Sequence, residues 1–394
     1  MAKALEDIRI LDFTRMYGGP LGTMMLAELG ADVIKVEVPV GGDAIRTTAP
    51  LTEGQESYRF VALNRGKRGI TLNLNSAEGQ KICMELVGKC DVLIENFTPG
   101  VMEGYGLSYE ELKRYNPCLI YVSISGFGCT GPYRNRIAFD TIIQAMGGLI
   151  SINGFPDSPP IKVGPAIADY LGGIFANIAI LAALQYRSKT KQGQFVDISM
   201  QDCIWYITAI QFLPLYILTG KEPPRLGNRQ IEVTPFSIYK AKDGKYFTIG
   251  CFEPWLWGNL CKLVGREDLI PKHFGSFEEQ QESYRALSEV FATKDREEWL
   301  KKLDEADVCV APVYNFEEMF ADPHYRNHKV VVEMKHPKLG KVKMLNTPFK
   351  FSDTPAEVRT RPPLWAEHTR EVLGELLGYS KRMIDRLMKD EVIE

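Results

Sequence analysis

Apolar and polar positions alternate in blocks through the first half of the chain, and the blocks predict strands and helices in turn. Short apolar runs of the kind found in buried strands occupy residues 8–13, 33–37, 69–74, 91–96, 119–125 and 195–200. Helices are predicted between them and after the last one, at residues 21–29, 76–90, 109–115, 139–148, 174–184 and 202–218. Strands that alternate with helices are typical of a parallel sheet with right-handed crossovers. The pattern therefore predicts a Rossmann-like α/β domain.

The pattern changes at residues 219–229, where prolines and charged residues mark a linker. Beyond it, two short apolar runs at 235–239 and 246–250 flank a Lys-Asp-Gly turn, which predicts a hairpin. Helices and short strands follow to the end of the chain. We therefore divide the chain into a large domain over residues 1–218, a linker at 219–229, a smaller α+β domain over 230–329, and a C-terminal segment over 330–394.

Composition and charge exclude several classes of protein. The chain has 394 residues, of which 45% are hydrophobic and 25% charged, and its net charge is −3. This balance has no basic excess for nucleic acid and no polybasic tail for a membrane surface. No run of about 18 uninterrupted apolar residues occurs, and the N-terminus lacks the layout of a signal peptide. We expect a cytoplasmic protein that contacts neither nucleic acid nor membrane.

The common cofactor and metal motifs are missing from the sequence. The first turn after a strand contains Gly18-Gly19 rather than G-x-G-x-x-G, so we predict no dinucleotide site, although Glu37 ends the second strand as a ribose-binding acid would. The eight cysteines include no C-x-x-C pair, and no histidine precedes residue 273. The sequence therefore predicts reduced thiols and no metal site.

One carboxylate, Asp169, stands between an apolar segment and a helix of small residues. Locally this position favours a helix N-cap, because an aspartate before a helix accepts backbone N–H bonds. Serine-elbow, P-loop and H-E-x-x-H motifs are all missing, so a carboxylate becomes the leading nucleophile by elimination. The glycines at 126–131 and 172–173 suit either oxyanion-binding N–H groups or tight packing. The residues alone leave these alternatives open.

Short segments along nearly the whole chain resemble the class III CoA-transferases, the family of formyl-CoA:oxalate and carnitine CoA-transferases. The resemblance lies in their order and spacing, at residues 11–15, 18–20, 26–37, 64–68, 95–100, 125–128, 131–132, 139–140, 167–169, 193–200, 322–323 and 370–374. It implies that Asp169 is the catalytic residue, which attacks an acyl-CoA thioester and passes through an acyl anhydride and an aspartyl–CoA thioester. CoA and acyl-CoA are then substrates, and no bound cofactor or metal is required.

The resemblance also carries expectations about assembly. Each subunit is an open ring, and two rings interlock into a dimer, with an identical chain or a paralogue as the partner. The C-terminal segment then returns to the large domain. Residues matching the CoA site are Leu72, Asn96, Phe97 and Met200.

Relatives often carry basic residues where this chain has Thr98 and Gly104. We therefore expect Arg68 and Arg134 to bind CoA, with Lys67 and Arg136 as further candidates, because phosphates need a cationic partner. The substrate pocket is expected to include Tyr17, Phe139, Asp140 and Tyr170, and to hold an acyl group larger than formyl.

Two other functions remain open from the sequence. The first is an α-methylacyl-CoA racemase of the same fold, but the histidine that those enzymes use falls where Phe139 stands, and phenylalanine cannot move a proton. The second is a non-catalytic partner subunit that only binds CoA, against which the presence of Asp169 argues.

Overall fold

The computed structural model describes residues 3–52, 56–230 and 233–394. Contacts divide the chain into two compact units: the first comprises residues up to 149, 162–220 and 328–394, and the second comprises 150–161 and 221–327. The predicted linker at 219–229 spans one of these boundaries. Residues 150–161 belong to the second unit, whereas the sequence prediction assigned them to the large domain.

The first unit is built on six parallel strands in the order β3-β2-β1-β4-β5-β6. The predicted parallel α/β sheet is thereby confirmed. The strands are β1 (Arg9–Asp12), β2 (Asp32–Glu37), β3 (Lys67–Thr71), β4 (Val92–Glu95), β5 (Ile120–Ser125) and β6 (Gln194–Ser199).

The second unit has a three-stranded antiparallel sheet in the order β7-β8-β9, and the C-terminal part of the first unit adds the hairpin β10-β11. These strands are β7 (Ser237–Lys240), β8 (Tyr246–Ile249), β9 (Val310–Pro312), β10 (Val331–His336) and β11 (Gly340–Leu345).

The α-helices are, in chain order, α1 (Gly18–Glu28), α2 (Tyr58–Leu63), α3 (Ala77–Val87), α4 (Val101–Gly104), α5 (Tyr109–Tyr115), α6 (Asp140–Met146), α7 (Leu149–Ile152), α8 (Ile167–Thr190), α9 (Met200–Thr219), α10 (Pro254–Leu263), α11 (Phe277–Phe291), α12 (Arg296–Glu305), α13 (Phe316–Ala321), α14 (Pro323–Asn327), α15 (Thr369–Leu377) and α16 (Lys381–Lys389). Short 3-10 helices lie at Ala44–Thr47 and Glu267–Lys272.

The parallel sheet is covered on both faces, which explains why its strands are apolar runs rather than alternating sequences. On β1, Leu11 joins a core formed with α3, α5, α15 and α16. Its neighbour Ile10 points to the opposite face and joins a core formed with α1, α6 and α8. Because successive side chains of a strand point to opposite faces, the four central strands β1, β2, β4 and β5 contribute to both cores, whereas the edge strands β3 and β6 contribute to one core each.

Helices α8 and α9 are long and apolar enough to cross a membrane, by length and composition alone. The sequence analysis found no membrane-spanning segment because it looked for an uninterrupted apolar run. A few polar residues interrupt the apolar residues of these two helices but hardly lower their mean hydropathy. Core helices of soluble proteins meet the same criterion, and α8 places Ala176 and Ile180 in a buried core. Helix α9 differs, because its large apolar side chains are mostly exposed, including Trp205, Ile210 and Leu213.

Candidate active site

A cavity opens at the carboxyl ends of four of the six parallel strands, where open α/β sheets commonly bind ligands. It is lined by the loop 15–19 after β1, the loop 96–99 after β4, residues 124–126 at the end of β5, and Met200 after β6. The loop before α6 adds Arg134, Arg136, Ala138 and Phe139, and the start of α8 adds Asp169. An open hollow in the second unit lies along one face of α11, where charged side chains predominate.

Asp169 is the third residue of α8 and not its cap. The N-cap is Ala166, which makes no side-chain capping bond. The prediction that Asp169 is the N-cap of this helix is therefore wrong. The N–H of Ala168, in the first turn of α8, donates instead to Asp140 Oδ1 at 2.9 Å. Asp169 is thereby left without a capping role, and its carboxylate lines the cavity.

Glycines allow α1 to approach the start of α8 closely enough to fix the place of Asp169. A Cβ added to Gly18 would lie 2.1 Å from the carbonyl oxygen of Asp169, and one added to Gly173 would lie 2.1 Å from the carbonyl oxygen of Gly18. Any larger residue would separate the two helices. Of the glycines for which tight packing was one alternative, Gly173 is therefore closely packed.

Burial and a neighbouring acid raise the pKa of Asp169 to about 7, with burial as the larger cause and Asp140 as the smaller one. Asp140 is fixed in place by two bonds, because its Oδ2 also accepts from Gln144 Nε2 at 2.7 Å. Gln144 Oε1 in turn accepts from Val163 N at 2.9 Å. The two carboxylates are thus held near each other, and Asp169 forms no ion pair with any residue in the part of the chain that the structure describes.

Buried ion pairs hold the loop between β1 and α1, which forms part of the cavity wall. Lys35 Nζ donates to Asp43 Oδ2 at 3.0 Å and to Thr14 O at 2.8 Å, and Met16 N donates to Asp43 Oδ1 at 3.2 Å. The second pair joins Lys67 Nζ and Asp12 Oδ2 at 3.0 Å. All four charged side chains of these pairs are inaccessible to solvent.

The loop is also pinned from the neighbouring strand. Asn96 accepts from Arg15 N through Oδ1 at 2.8 Å and donates to Arg15 O through Nδ2 at 2.9 Å. The guanidinium of Arg15 lies over the ring of Phe97, 4.9 Å from its centroid. The loops after β1 and β4 therefore form one connected wall of the cavity.

Comparison with known proteins settles the family. The sequence pattern of CoA-transferase family III matches residues 5–369. Succinyl-CoA:glutarate CoA-transferase of Homo sapiens is 34% identical over 100% of this chain and 90% of its own length. Succinyl-CoA:mesaconate CoA-transferase of Haloarcula marismortui is 38% identical over 94% and 96%. The crystal structure of a CAIB/BAIF family protein from Brucella suis superposes with a TM-score of 0.84 at 36% identity, covering 95% of this chain and 100% of that one.

The chain belongs to CoA-transferase family III. It is therefore a transferase enzyme, as the sequence resemblance predicted, and its substrates are CoA thioesters and carboxylic acids.

Seven of the residues that the sequence named for this family III CoA-transferase line the cavity together with Asp169. They are Tyr17, Asn96, Phe97, Arg134, Arg136, Phe139 and Met200. Tyr170 lies just behind the wall, because its ring packs edge-on against Tyr17 at 6.3 Å between centroids. Asp140 acts on Asp169 without lining the cavity. Leu72 is buried in the core against α3.

The predicted CoA-binding role of Arg68 does not fit its place in the CoA-transferase. Arg68 is the second residue of β3, toward the amino end of the sheet, and it pairs with Asp32 at 2.7 Å and with Glu371 and Glu375 on α15. Lys67 forms a buried ion pair with Asp12 and does not line the cavity. Both are corrections that depend on tertiary packing, which brings acids distant in sequence beside these cations.

Sequence reasoning missed Arg15 as a cation of the site. It stands three residues after the end of β1 and lines the cavity with Arg134 and Arg136. A usable signal was present, because a charged residue in the loop after the first strand of a parallel sheet is placed at the ligand-binding edge.

Proposed function

We propose that this enzyme transfers CoA between dicarboxylic acids and that Asp169 is the covalent carrier. One observation carries the proposal: Asp169 is the carboxylate that lines the cavity, and it is half-buried there without an ion-pair partner among the described residues. A carboxylate held in this way is less solvated than one in water and hence a better nucleophile. The choice of dicarboxylic acids draws on the relatives, which are named for succinyl-CoA with glutarate or mesaconate.

The proposed first half-reaction uses no proton and no metal. An oxygen of Asp169 attacks the thioester carbonyl carbon, the C–S bond breaks, and CoA leaves as the thiolate. The acyl group is then joined to Asp169 as a mixed anhydride. The thiolate attacks the side-chain carbonyl of Asp169, which releases the donor as a free carboxylate and leaves CoA attached to Asp169 as a thioester.

The second half-reaction is the first one in reverse with a different acid. The acceptor carboxylate attacks the aspartyl carbonyl and displaces the thiolate, and the thiolate then attacks the acceptor carbonyl of the new anhydride. Asp169 is regenerated as the carboxylate. One thioester replaces another, so charge and bonds balance without ATP. Anhydrides hydrolyse readily, so the reaction needs the exclusion of water that apolar residues around the cavity, such as Ile124 and Met200, favour.

Replacing Asp169 tests the proposal directly. In Asp169→Ala, we expect exchange between succinyl-CoA and isotopically labelled glutarate to fall at least about 10³-fold, because the nucleophile is lost. Hydroxylamine added during turnover should convert the Asp169 carboxyl to a hydroxamate, visible by peptide mass spectrometry. Asp202→Asn is the matched control, since Asp202 is an exposed acid in the first turn of α9. Undiminished exchange by Asp169→Ala would refute the assignment.

The same cavity argues against the racemase alternative. Moving a proton α to a thioester needs a base, and Phe139 lines the cavity where racemases place a histidine. With both relatives named as CoA-transferases, transfer is the reaction that the site supports best.

We also propose that two subunits interlock, each chain forming an open ring. Support comes from α9, whose exposed apolar side chains such as Ile210 and Leu213 would be covered by a partner. Sedimentation of the active enzyme should give twice the 44.5 kDa mass of one chain. A fully active monomer would overturn this.

A further inference from the structure

The cavity around Asp169 holds more positive than negative charge. Its lining includes three arginines, Arg15, Arg134 and Arg136, and one carboxylate, Asp169. Within residues 3–52, 56–230 and 233–394, none of the three arginines forms an ion pair. A guanidinium that is partly withdrawn from water without an acidic partner costs free energy. An anionic ligand would remove this cost.

The three arginines differ in their surroundings. Arg134 and Arg136 stand in a loop whose residues 131–137 are all exposed, whereas Arg15 is half-buried. Exposed cations near the opening suit the phosphates of CoA, which stay hydrated and need only long-range attraction. A half-buried guanidinium suits a group that is drawn into the cavity with the reacting thioester.

Arg15 is also the most firmly positioned of the three. Both polar groups of its main chain are bonded to the Asn96 side chain, and its neighbours Thr14 and Met16 are bonded to the buried pair Lys35–Asp43. Its guanidinium lies over the face of Phe97 at 4.9 Å from the centroid. A guanidinium placed over a ring keeps N–H groups for a planar anion, which a carboxylate matches as a two-pronged acceptor.

The segment that carries Arg15 also touches the nucleophile. Gly18, three residues further along, packs against the carbonyl of Asp169. A diacid thioester would bring its second, free carboxylate close to Asp169, and the two negative charges would repel each other in a partly dry site. A cation fixed to the same wall removes this repulsion.

We propose that Arg15 binds the free carboxylate of a dicarboxylic acyl group and thereby sets the preference of the enzyme for diacid over monoacid thioesters. The inference rests on the proposed CoA-transferase function and specifies its substrate recognition. CoA phosphates are the competing ligand, and they would make Arg15 equally important for every acyl-CoA.

Identity exchange separates the two ligands, because each reaction then contains a single kind of acyl group. Succinyl-CoA is exchanged with labelled succinate, and butyryl-CoA, which has a methyl group in place of the free carboxylate, with labelled butyrate. In Arg15→Gln, we expect kcat/KM for succinyl exchange to fall about 10- to 100-fold, as the loss of a charge-assisted carboxylate contact predicts. Butyryl exchange should change less than about 3-fold, so the preference for the diacid collapses.

Two further variants complete the experiment. Arg15→Lys keeps the charge but not the two-pronged edge, and it should restore only part of the succinyl activity. Arg136→Gln is the matched control in the exposed loop, and it should lower both exchanges by the same factor through the KM for acyl-CoA. Equal losses for both acyl groups in Arg15→Gln, or no loss at all, would overturn the inference and leave the transfer function intact. Absence of any exchange by the unaltered enzyme would overturn the proposed function and this inference with it.

Discussion

Two groups of carboxylates around the same cavity behave in opposite ways. Asp12, beneath the loop after β1, is fully buried, and burial alone would raise its pKa. Lys67 and Lys35, with the hydroxyls of Thr14 and Thr23, nevertheless bring the pKa of Asp12 below its ordinary value. Asp169 is less deeply buried, but it has an acid, not a cation, as its neighbour, and its pKa rises to about 7.

The difference shows that cationic partners decide whether the pKa-raising effect of burial on an acid is overcome. Acids paired with cations hold a loop in place, as Asp43 does through Lys35, which also lowers the pKa of Asp43 against the effect of burial. An acid without such a partner is costly to the fold and chemically available. On the proposed function, the paired carboxylates serve stability and the unpaired Asp169 serves the chemistry.

The largest expected effect is on the free energy of unfolding, when the buried ion pair between Lys67 and Asp12 is broken. Lys67→Met leaves Asp12 with one cation fewer in a site closed to water, and we expect the free energy of unfolding to fall by about 3–5 kcal/mol. Urea denaturation at pH 7 measures it. Lys113→Met is the control, because Lys113 pairs with Glu110 at an exposed position and should cost less than about 1 kcal/mol. A loss as small as the control's would mean that the buried pair contributes nothing to the fold.

Replacing Asp169, which has no cationic partner among the described residues, should have a smaller effect on the free energy of unfolding, and of opposite sign. The folded state raises the pKa of Asp169 from 3.8 to about 7, so it holds the proton more tightly than the unfolded chain does. Stability is therefore lost as the pH rises from about 4 to about 7, and the loss is complete above that range. Asp169→Asn, which cannot ionise, should unfold with a free energy higher by on the order of 2 kcal/mol at pH 8.

The pH dependence supplies the control for that prediction. At pH 4 the carboxyl is largely protonated in the folded state, so Asp169→Asn and the unaltered enzyme should differ little. Urea denaturation of both proteins at the two pH values measures the change. Equal stabilities at pH 8 would show that the ionised carboxylate is not strained in the folded protein.

Local sequence patterns predict the framework of the sheet better than the contacts that surround its carboxylates. All six strands of the sheet and the position of Asp169 after an apolar segment follow from local patterns of apolar residues, because both faces of a parallel sheet are buried. The cap of α8 does not, since it comes from Asp140, whose place depends on tertiary packing. The same holds for Arg68, whose partner Asp32 lies on the neighbouring strand, and for the pairing of Asp12 with Lys67.

The smallest effect is a shift in the pH dependence of catalysis, and it tests whether Asp140 tunes the proposed nucleophile, Asp169. On the proposed mechanism only the ionised form of Asp169 attacks the thioester, so kcat/KM for succinyl-CoA should rise with pH and level off above about 7. Asp140→Asn removes the neighbouring negative charge while its side-chain oxygen can still accept from Ala168 N. We expect the rise to move to lower pH by up to about one unit.

Asp140→Ala distinguishes this electrostatic effect from a structural one. It removes the charge and also the bonds to Ala168 N and Gln144 Nε2 that hold the start of α8. The pH midpoint should shift as in Asp140→Asn, but the plateau value of kcat/KM should fall as well, because Asp169 is less firmly placed. An unchanged midpoint in Asp140→Asn would mean that burial alone raises the pKa of Asp169, and the neighbouring acid would then serve only to anchor the helix that presents it.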